Sequence, residues 1–285
     1  MKPIKISVII PTYNEEEDIS NAIKSLLIQS EKNIEIIIVD DGSTDKTREI
    51  VKKFKKVRLI LGKHRGPGIS RNLGAKKAYG KILVFVDADM TFEKNYLKNL
   101  IKPIESSKEI IGTTHNYEVI DNTNNIWSRC WGKVRVNEKE GYGNSVIFRA
   151  ILKKKFLEMG GFNPKYGYAD DQTFFIERKI KPYVARDTTC YHKNPETLKA
   201  VYKQSRWIGA SLNNKFLNMP LIKKIIPFLM ILVSPISIIL LSIKKASNLN
   251  EWKIFFPYML LFITARYFGT LEGITRKVYF GKNFK

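Results

Sequence analysis

The chain has only two cysteines, Cys130 and Cys190, in 285 residues, which excludes a disulfide scaffold and a four-cysteine zinc site. It has no Asn-x-Ser/Thr sequon, and Met1 leads into a β-branched run rather than a basic and apolar leader. Nothing here suggests export, and the catalytic part is expected to be intracellular. Acidic residues are few: 27 Asp and Glu stand against 49 Lys and Arg, a formal charge of +22. That excess predicts an anionic partner, such as nucleic acid, a phosphorylated ligand or an acidic bilayer surface, and is silent on fold. Internal repeats and low-complexity linkers are also absent. What is present is ample core material, with 44% hydrophobic and 27% charged residues, which excludes wholesale disorder. The length fits one sizeable domain plus an appendage, or two small domains.

The first hundred residues alternate short β-branched runs with amphipathic stretches. Ile6–Ile10, Ile34–Val39, Val57–Leu61 and Ile82–Val86 read as buried parallel strands. Between the first two, Glu15–Leu27 puts Ile19, Ala22, Ile23, Leu26 and Leu27 on one helical stripe, with Asn14 as N-cap. Thr44 is placed to cap a second helix that buries Ile50, Val51 and Phe54. A third helix is expected from about Gly68 to Tyr79, with Gly80 as its stop. Further helices are expected at Thr91–Leu100 and Ala150–Met159, and a strand at Tyr183–Tyr191. Strand and helix at this spacing predict a doubly wound, mostly parallel α/β sheet, whose ligands sit beyond the carboxyl ends of the strands.

Those ends carry the unusual residues. The first strand opens into Pro11-Thr12-Tyr13-Asn14-Glu15, the second ends in Asp40-Asp41-Gly42-Ser43 and the fourth in Asp87-Ala88-Asp89. Residues i and i+2 of an extended chain point the same way, so Asp87 and Asp89 can offer hard oxygen ligands to Mg²⁺ or Mn²⁺. The same triplet could instead be an acidic turn before a helix. Asp40-Asp41-Gly42-Ser43 is either a turn with a helix cap or a carboxylate for a nucleobase N–H or ribose hydroxyl; Tyr13 either packs or stacks on a base. Gly66-Pro67-Gly68-Ile69-Ser70-Arg71 lacks the third glycine of a dinucleotide fingerprint, and Gly62-Lys63-His64 lacks the spacing of a P-loop. Arg71, one turn into the third helix, either meets a nucleotide phosphate or ties the acidic loops together.

The tail changes character. Ile225–Ile243 has no charge over about the length needed to cross a bilayer, and Ile254–Ala265 is halted by Arg266, for which Glu272 is a possible partner. Lys223, Lys224, Lys244 and Lys245 flank the first stretch on both sides, so no orientation follows. Two readings stay open, a transmembrane hairpin or interfacial helices with basic rims, beside a buried core helix.

SVIIPTYNEE (Ser7–Glu16), IIIVDDGSTDKT (Ile36–Thr47), GISRNLGAKKAYG (Gly68–Gly80) and ILVFVDADM (Ile82–Met90) together resemble the family 2 glycosyltransferases, which have the GT-A fold. The resemblance covers the first hundred residues closely and continues more weakly to about Ser211. It implies a GT-A domain at 1–215, with a nucleotide-sugar half (1–111) and an acceptor half (112–215); it does not fix the tail, where the apolar stretches predict a membrane-associated helical hairpin at 216–285. Pro11, Tyr13, Glu15, Asp41, Arg71 and Asp87-Ala88-Asp89 would line the donor pocket, with Asp41 on the base. Asp89 would bind the metal directly, Asp87 would lie nearer the ribose or a metal-bound water, and His192 would be either a third ligand, as in some relatives, or a structural histidine. After Gly160-Gly161-Phe162 the family shows Glu-Asp; here Asp170 stands at the Glu position and Asp171 aligns with the catalytic base. Gln204-Ser205-Arg206-Trp207 looks like the Gln-x-x-Arg-Trp motif, whose Trp meets an acceptor sugar and whose Arg meets the diphosphate; the same stretch also reads as an amphipathic helix that buries Trp207.

The expected activity is inverting, metal-dependent transfer from a nucleoside diphosphate sugar to a lipid-linked or glycan acceptor, at the cytoplasmic face of the cell membrane. A divalent cation would balance charge on the leaving diphosphate, and a carboxylate would take the acceptor's proton. Two other classes compete. A nucleotidyltransferase making a nucleotide sugar would need a Gly-rich basic loop where Tyr13-Asn14-Glu15 stands. A basic nucleic-acid binder would sit poorly with acidic strand ends and an apolar tail.

Overall fold

The computed structural model of the chain describes residues 4–212, 220–249 and 252–280, apart from the side chains of 212, 220–228, 231–232, 252–256 and 277–280. Two compact units are present. The first comprises Met1–Val119, Val134–Pro164 and Asp170–His192; the second comprises Ile120–Lys133, Lys165–Ala169 and Lys193–Lys285. The boundary expected at 215–216 lies outside the described residues.

In the first unit the β-branched runs form β1 (Ile6–Thr12), β2 (Ile34–Asp40), β3 (Val57–Leu61) and β4 (Ile82–Phe85), paired in parallel in the order β3-β2-β1-β4. Successive side chains face opposite sides of a strand. Val8 and Ile10 therefore join Ile36, Ile38 and Val84 in one core, while Ile9 joins Ile37, Val39, Leu83 and Phe85 in the other. Parallel strands need both faces covered. α1 (Ile19–Leu27) supplies Ile19, Ile23 and Leu26 to the first core, and α2 (Thr47–Lys52) adds Val51. α3 (Pro67–Lys77) covers the second with Ala75, and α4 (Tyr96–Ser106) packs Tyr96, Leu97, Leu100 and Ile101 into the first.

Several boundaries differ from the expectation for tertiary reasons. Asn14 does not cap α1: it has φ +57° and its Oδ1 accepts from the Thr44 N–H at 2.8 Å, lacing the loops after β1 and β2 together. α1 begins only at Ile19, and α2 begins at Thr47, three residues after its expected cap. Met90–Phe92 is β5, not the start of a helix, because it pairs antiparallel with the strand ending at His192; α4 starts at Tyr96. Beyond β4 the sheet is antiparallel, through β6 (Gly112–Ile120), β7 (Val134–Asn137), β8 (Ala150–Leu152) and β9 (Tyr183–His192), giving the order β3-β2-β1-β4-β8-β6-β9-β5 with β7 on β6. The sheet is thus mixed rather than mostly parallel: only four of its nine strands, counted among the described residues, form the parallel block. Residues 112–192 lack the long helical crossovers that parallel pairing requires.

The second unit is helical: α5 (Ile126–Trp131), α8 (Leu198–Leu212), α9 (Pro220–Leu249) and α10 (Trp252–Phe280). Between α5 and α8 the chain forms α6 (Lys153–Glu158), a 3-10 segment (Pro164–Gln172) and α7 (Thr173–Arg178). α10 carries Gly269 and Gly273, one turn apart, where it crosses α8. A Cβ on Gly273 would collide with the Arg206 carbonyl, and one on Gly269 would lie 2.5 Å from the Tyr202 carbonyl, so only glycine permits this approach. Arg266 stacks over the Trp131 ring, 4.3 Å from its centroid. Glu272, the partner expected for Arg266, instead pairs with Arg276 at 2.6 Å and Arg206 at 3.6 Å.

Among the described residues no helix is long and apolar enough to cross a membrane, so the transmembrane hairpin has no support. The side chains at 223–228, 231–232 and 254–256 of the two apolar stretches and their rim lie outside the described residues. What α9 does display is an inverted helix. Ser234, Ile238, Ser242 and Ala246 face inward, whereas Leu229, Val233, Ile236, Leu240 and Ile243 face outward. Ile236 and Leu240 are 68% and 60% exposed.

Candidate active site

The carboxyl ends of β1, β2 and β4 bring their acidic loops to one edge of the first unit, as the strand order requires. The central group is Arg71, projected from α3. Its Nη2 donates to Asp87 Oδ1 at 2.7 Å and its Nη1 to Asp170 Oδ1 at 2.8 Å. Arg149 Nη1 takes the other Asp87 oxygen at 3.2 Å. Burial alone would raise the Asp87 carboxyl, but Arg71 and Arg149 outweigh it and hold it well below the usual carboxylate range. Arg71 thus joins the Asp87 and Asp170 segments. Both Asp87 oxygens are engaged by arginines.

The segment with Asp170 and Asp171 is fixed by the glycine turn before it. Gly160 and Gly161 have φ +89° and +76°, a conformation other residues resist. This turn presents Phe162 to Asn72 of α3: the Phe162 N–H donates to Asn72 Oδ1 at 2.9 Å, and Asn72 Nδ2 donates to the Phe162 carbonyl at 2.7 Å. Below it, Phe85, Phe156, Phe162 and Phe174 pack with ring centroids 4.9–5.7 Å apart. Asp170 is buried on Arg71. Asp171 has a different environment: its Oδ1 is shielded from solvent and accepts no hydrogen bond from the protein. Burial pushes its carboxyl up to about 7, against the pull of Arg71 and with the help of neighbouring Asp170. A carboxylate poised near neutrality and left unpartnered has the properties of a proton acceptor.

Asp89 and His192 converge, with His192 Nε2 3.2 Å from Asp89 Oδ2. Burial would lower the imidazole, but Asp89 and Glu118 outweigh it and raise it to about 9. The proton on Nε2 therefore occupies the position a cation would take. One carboxylate oxygen and one imidazole nitrogen form a donor set suited to Mn²⁺ or another borderline divalent ion. Asp87 feels the His192 charge, and each of its oxygens keeps a lone pair beyond its arginine contact. Glu15 lies on the same edge, where burial and then repulsion from Asp89 push its carboxyl up to about 8, as expected of a site rich in negative charge.

The base-side residues are arranged less simply. Asp41 is buried, and its carboxylate accepts the N–H groups of Arg65 and Gly66, both at 2.8 Å, and the Ser70 hydroxyl at 3.2 Å. It thereby organises the loop that leads into α3. Asp40 caps its own turn through Ser43 and pairs with Arg48 at 2.6 Å. The half-buried ring of Tyr13 lies against His64, with centroids 4.1 Å apart, next to half-buried Pro11; Ala88, between the two aspartates, is buried. Gln204, Arg206 and Trp207 belong to α8 of the second unit, where Trp207 packs edge-on against Tyr168 with centroids 4.9 Å apart. Sequence reasoning missed His64, Glu118, Arg149 and Asn72. None sits in a motif of its own, and His115 and Glu118, three apart on a strand, should not meet. They nonetheless lie 2.9 Å apart, and the register shift beside them makes Arg135 the extra residue of β7 opposite Glu118 and Val119.

Comparison with known proteins agrees with this architecture. S. aureus TarS 1–349 superposes with a TM-score of 0.55 over 96% of this chain and 91% of its own, at 19% identity. The mannosyltransferase PcManGT from Pyrobaculum calidifontis, in complex with GDP-Man and Mn²⁺, gives 0.57 over 99% and 88%, at 18% identity. Both share the GT-A fold with this chain. In sequence, the chain is 37% identical to the glycosyltransferase GlyA of Streptococcus pneumoniae serotype 4 over 232 residues, 72% of this chain and 33% of GlyA. It spans 20%, 24% and 38% of three other curated relatives, described as uncharacterized glycosyltransferases. The profile described as Glycosyl transferase family 2 matches residues 7–164, more than half of the chain and the span that contains Asp41, Arg71, Asp87 and Asp89. Strand-end acids, the arginine between them and the fold that gathers them are thus features of a chain that belongs to glycosyl transferase family 2.

Proposed function

We propose that this chain transfers a sugar from a nucleoside diphosphate sugar to an acceptor hydroxyl, with inversion and with Asp171 as the general base. The observation that carries this is the unpartnered Asp171 carboxylate, raised to about 7, in the unit that also holds the Asp89–His192 pair. Asp171 takes the proton of the acceptor hydroxyl as that oxygen bonds to the anomeric carbon and the bond to the diphosphate breaks. Arg71 holds Asp170 and Asp87 in place, so the base and the donor loop keep a fixed geometry. A divalent cation bound at Asp89 and His192 would supply positive charge to the departing diphosphate. TarS has been solved with UDP and with UDP-GlcNAc, and PcManGT with GDP-Man and Mn²⁺, which supports a nucleoside diphosphate sugar as donor. The test is release of nucleoside diphosphate from a panel of UDP- and GDP-sugars with Mn²⁺ or Mg²⁺ and a membrane lipid extract. Metal-dependent release from one donor, lost in Asp89→Asn, is expected; donor-independent or metal-independent release would sink the reading.

The acceptor belongs at an anionic membrane surface, as a lipid-linked glycan or a lipid phosphate. The support is α9, which buries Ser234, Ser242 and Ala246 with Ile238 while Leu229, Val233, Ile236, Leu240 and Ile243 face outward, an arrangement helices use against lipid. Lys244 closes this apolar row, and the chain's +22 charge favours anionic headgroups. The chain should co-float with vesicles containing phosphatidylglycerol, and the double variant Ile236→Glu, Leu240→Glu should lose most of that binding while melting as wild type. Flotation unchanged by the two glutamates would remove α9 as the contact.

A further inference from the structure

The Asp89–His192 pair is the outer end of a chain of polar groups that runs into the interior of the first unit. His192 Nδ1 lies 2.7 Å from Glu118 Oε1, and the other Glu118 oxygen lies 2.9 Å from His115 Nε2. His115 Nδ1 continues to the Tyr96 hydroxyl at 3.2 Å and the Cys190 sulfur at 3.4 Å. Glu118 and His115 are buried, and Tyr96 and Cys190 are wholly so. Arg149 holds Glu118 from one side at 3.8 Å, while its other terminal nitrogen engages Asp87.

Arg135 is the remaining cation. Its Nη1 is 3.3 Å from Glu118 Oε1, 2.7 Å from His192 Nδ1 and 3.1 Å from His192 Nε2. One atom that close to both ring nitrogens must stand over the ring face, because in the ring plane it would overlap the carbon between them. The in-plane direction of Nδ1 is therefore left to Glu118, and that of Nε2 to Asp89.

We propose that Glu118 is a positioning residue for His192: it accepts the Nδ1 proton and so turns the Nε2 lone pair toward the point shared with Asp89. This rests on the metal reading of that pair given above. The arrangement is a carboxylate–histidine couple behind a ligand, which orients the ring and fixes its tautomer; loss of such partners weakens metal binding by roughly 10–100-fold. Glu118 is itself immobile, held between two histidines and two arginines, so the orientation it imposes is rigid. His115 has a further role here, since its Nε2–H stops Glu118 from rotating away.

The experiment measures Mn²⁺ affinity from the electron paramagnetic resonance signal of the free ion, with UDP and in parallel GDP present, for wild type, Asp89→Asn and Glu118→Gln. Glu118→Gln should bind Mn²⁺ roughly 10–100-fold more weakly, with metal-free nucleotide binding unchanged. Weakened binding in Asp89→Asn beside wild-type binding in Glu118→Gln overturns the role of Glu118 and leaves the metal site standing. Wild-type binding in both overturns the metal site and this proposal with it. If Glu118→Gln does not fold, the nitrogen-15 spectrum of the wild-type complex with Mg²⁺ and the nucleotide decides. A His192 proton on Nδ1 supports the proposal, and one on Nε2 overturns it.

Discussion

Asp171→Asn should lower turnover by about 10²–10⁴-fold, the usual contribution of a positioned general base, with donor binding little changed. Asparagine keeps the shape and removes the proton acceptor. In wild type the rate should climb with pH through about 7, where the carboxyl loses its proton, and the residual rate of the variant should lack that limb. Stability should move the other way. A carboxyl raised by folding favours the folded state while protonated, so its contribution is complete below the unfolded value near 4 and is lost as pH rises through about 7. Above that pH, Asp171→Asn should melt at a higher temperature than wild type, and below pH 4 the two should converge. A variant with undiminished turnover, or one that melts lower at pH 8, would show that Asp171 is not the base.

Arg71→Met is expected to have the largest effect on the fold. The guanidinium is buried and is the partner of two carboxylates at 2.7 and 2.8 Å. Removing one member of a buried ion network strands the others, at about 3–5 kcal/mol. Methionine replaces much of the packing against Phe162, whose ring centre lies 6.0 Å from the guanidinium carbon, so the loss reports charge more than volume. The sign with pH follows from Asp87, whose carboxyl is depressed. Its contribution to stability is present above the unfolded value near 4 and is lost as pH falls below it. Arg71→Met should therefore be destabilised at pH 7 and flatten the acid limb, leaving the part that Arg149 maintains. Urea unfolding at pH 7 and pH 3 measures both; a change under 1 kcal/mol with an unaltered acid limb would mean that Arg71 does not bind these loops together.

Much of the donor half was legible because its signals are local. The strands from Ile6, Ile34, Val57 and Ile82 are β-branched runs whose burial on both faces leaves little alternative, and Asp87 and Asp89 gain meaning from standing at the end of one. Short apolar segments were misread where pairing partners are remote. Met90–Phe92 is a strand because Cys190–His192 comes alongside it, a contact made across some hundred residues. The same holds for Ala150–Leu152 beside β4.

Residue chemistry by itself determined which groups are available here: acidic strand ends, an Asp-Asp pair after a Gly-Gly-Phe turn, a basic excess and an apolar tail. Only the tertiary structure decided how each is used. It engaged both oxygens of Asp87 with Arg71 and Arg149, left an oxygen of Asp171 without a partner, and put Glu118 behind His192. It also turned most of the described large apolar residues of α9 outward. The reason is physical. Residue identity fixes charge and intrinsic acidity, whereas burial and neighbouring charges, which come from strands far apart in the chain, set whether a carboxylate is clamped, protonated or poised to accept a proton.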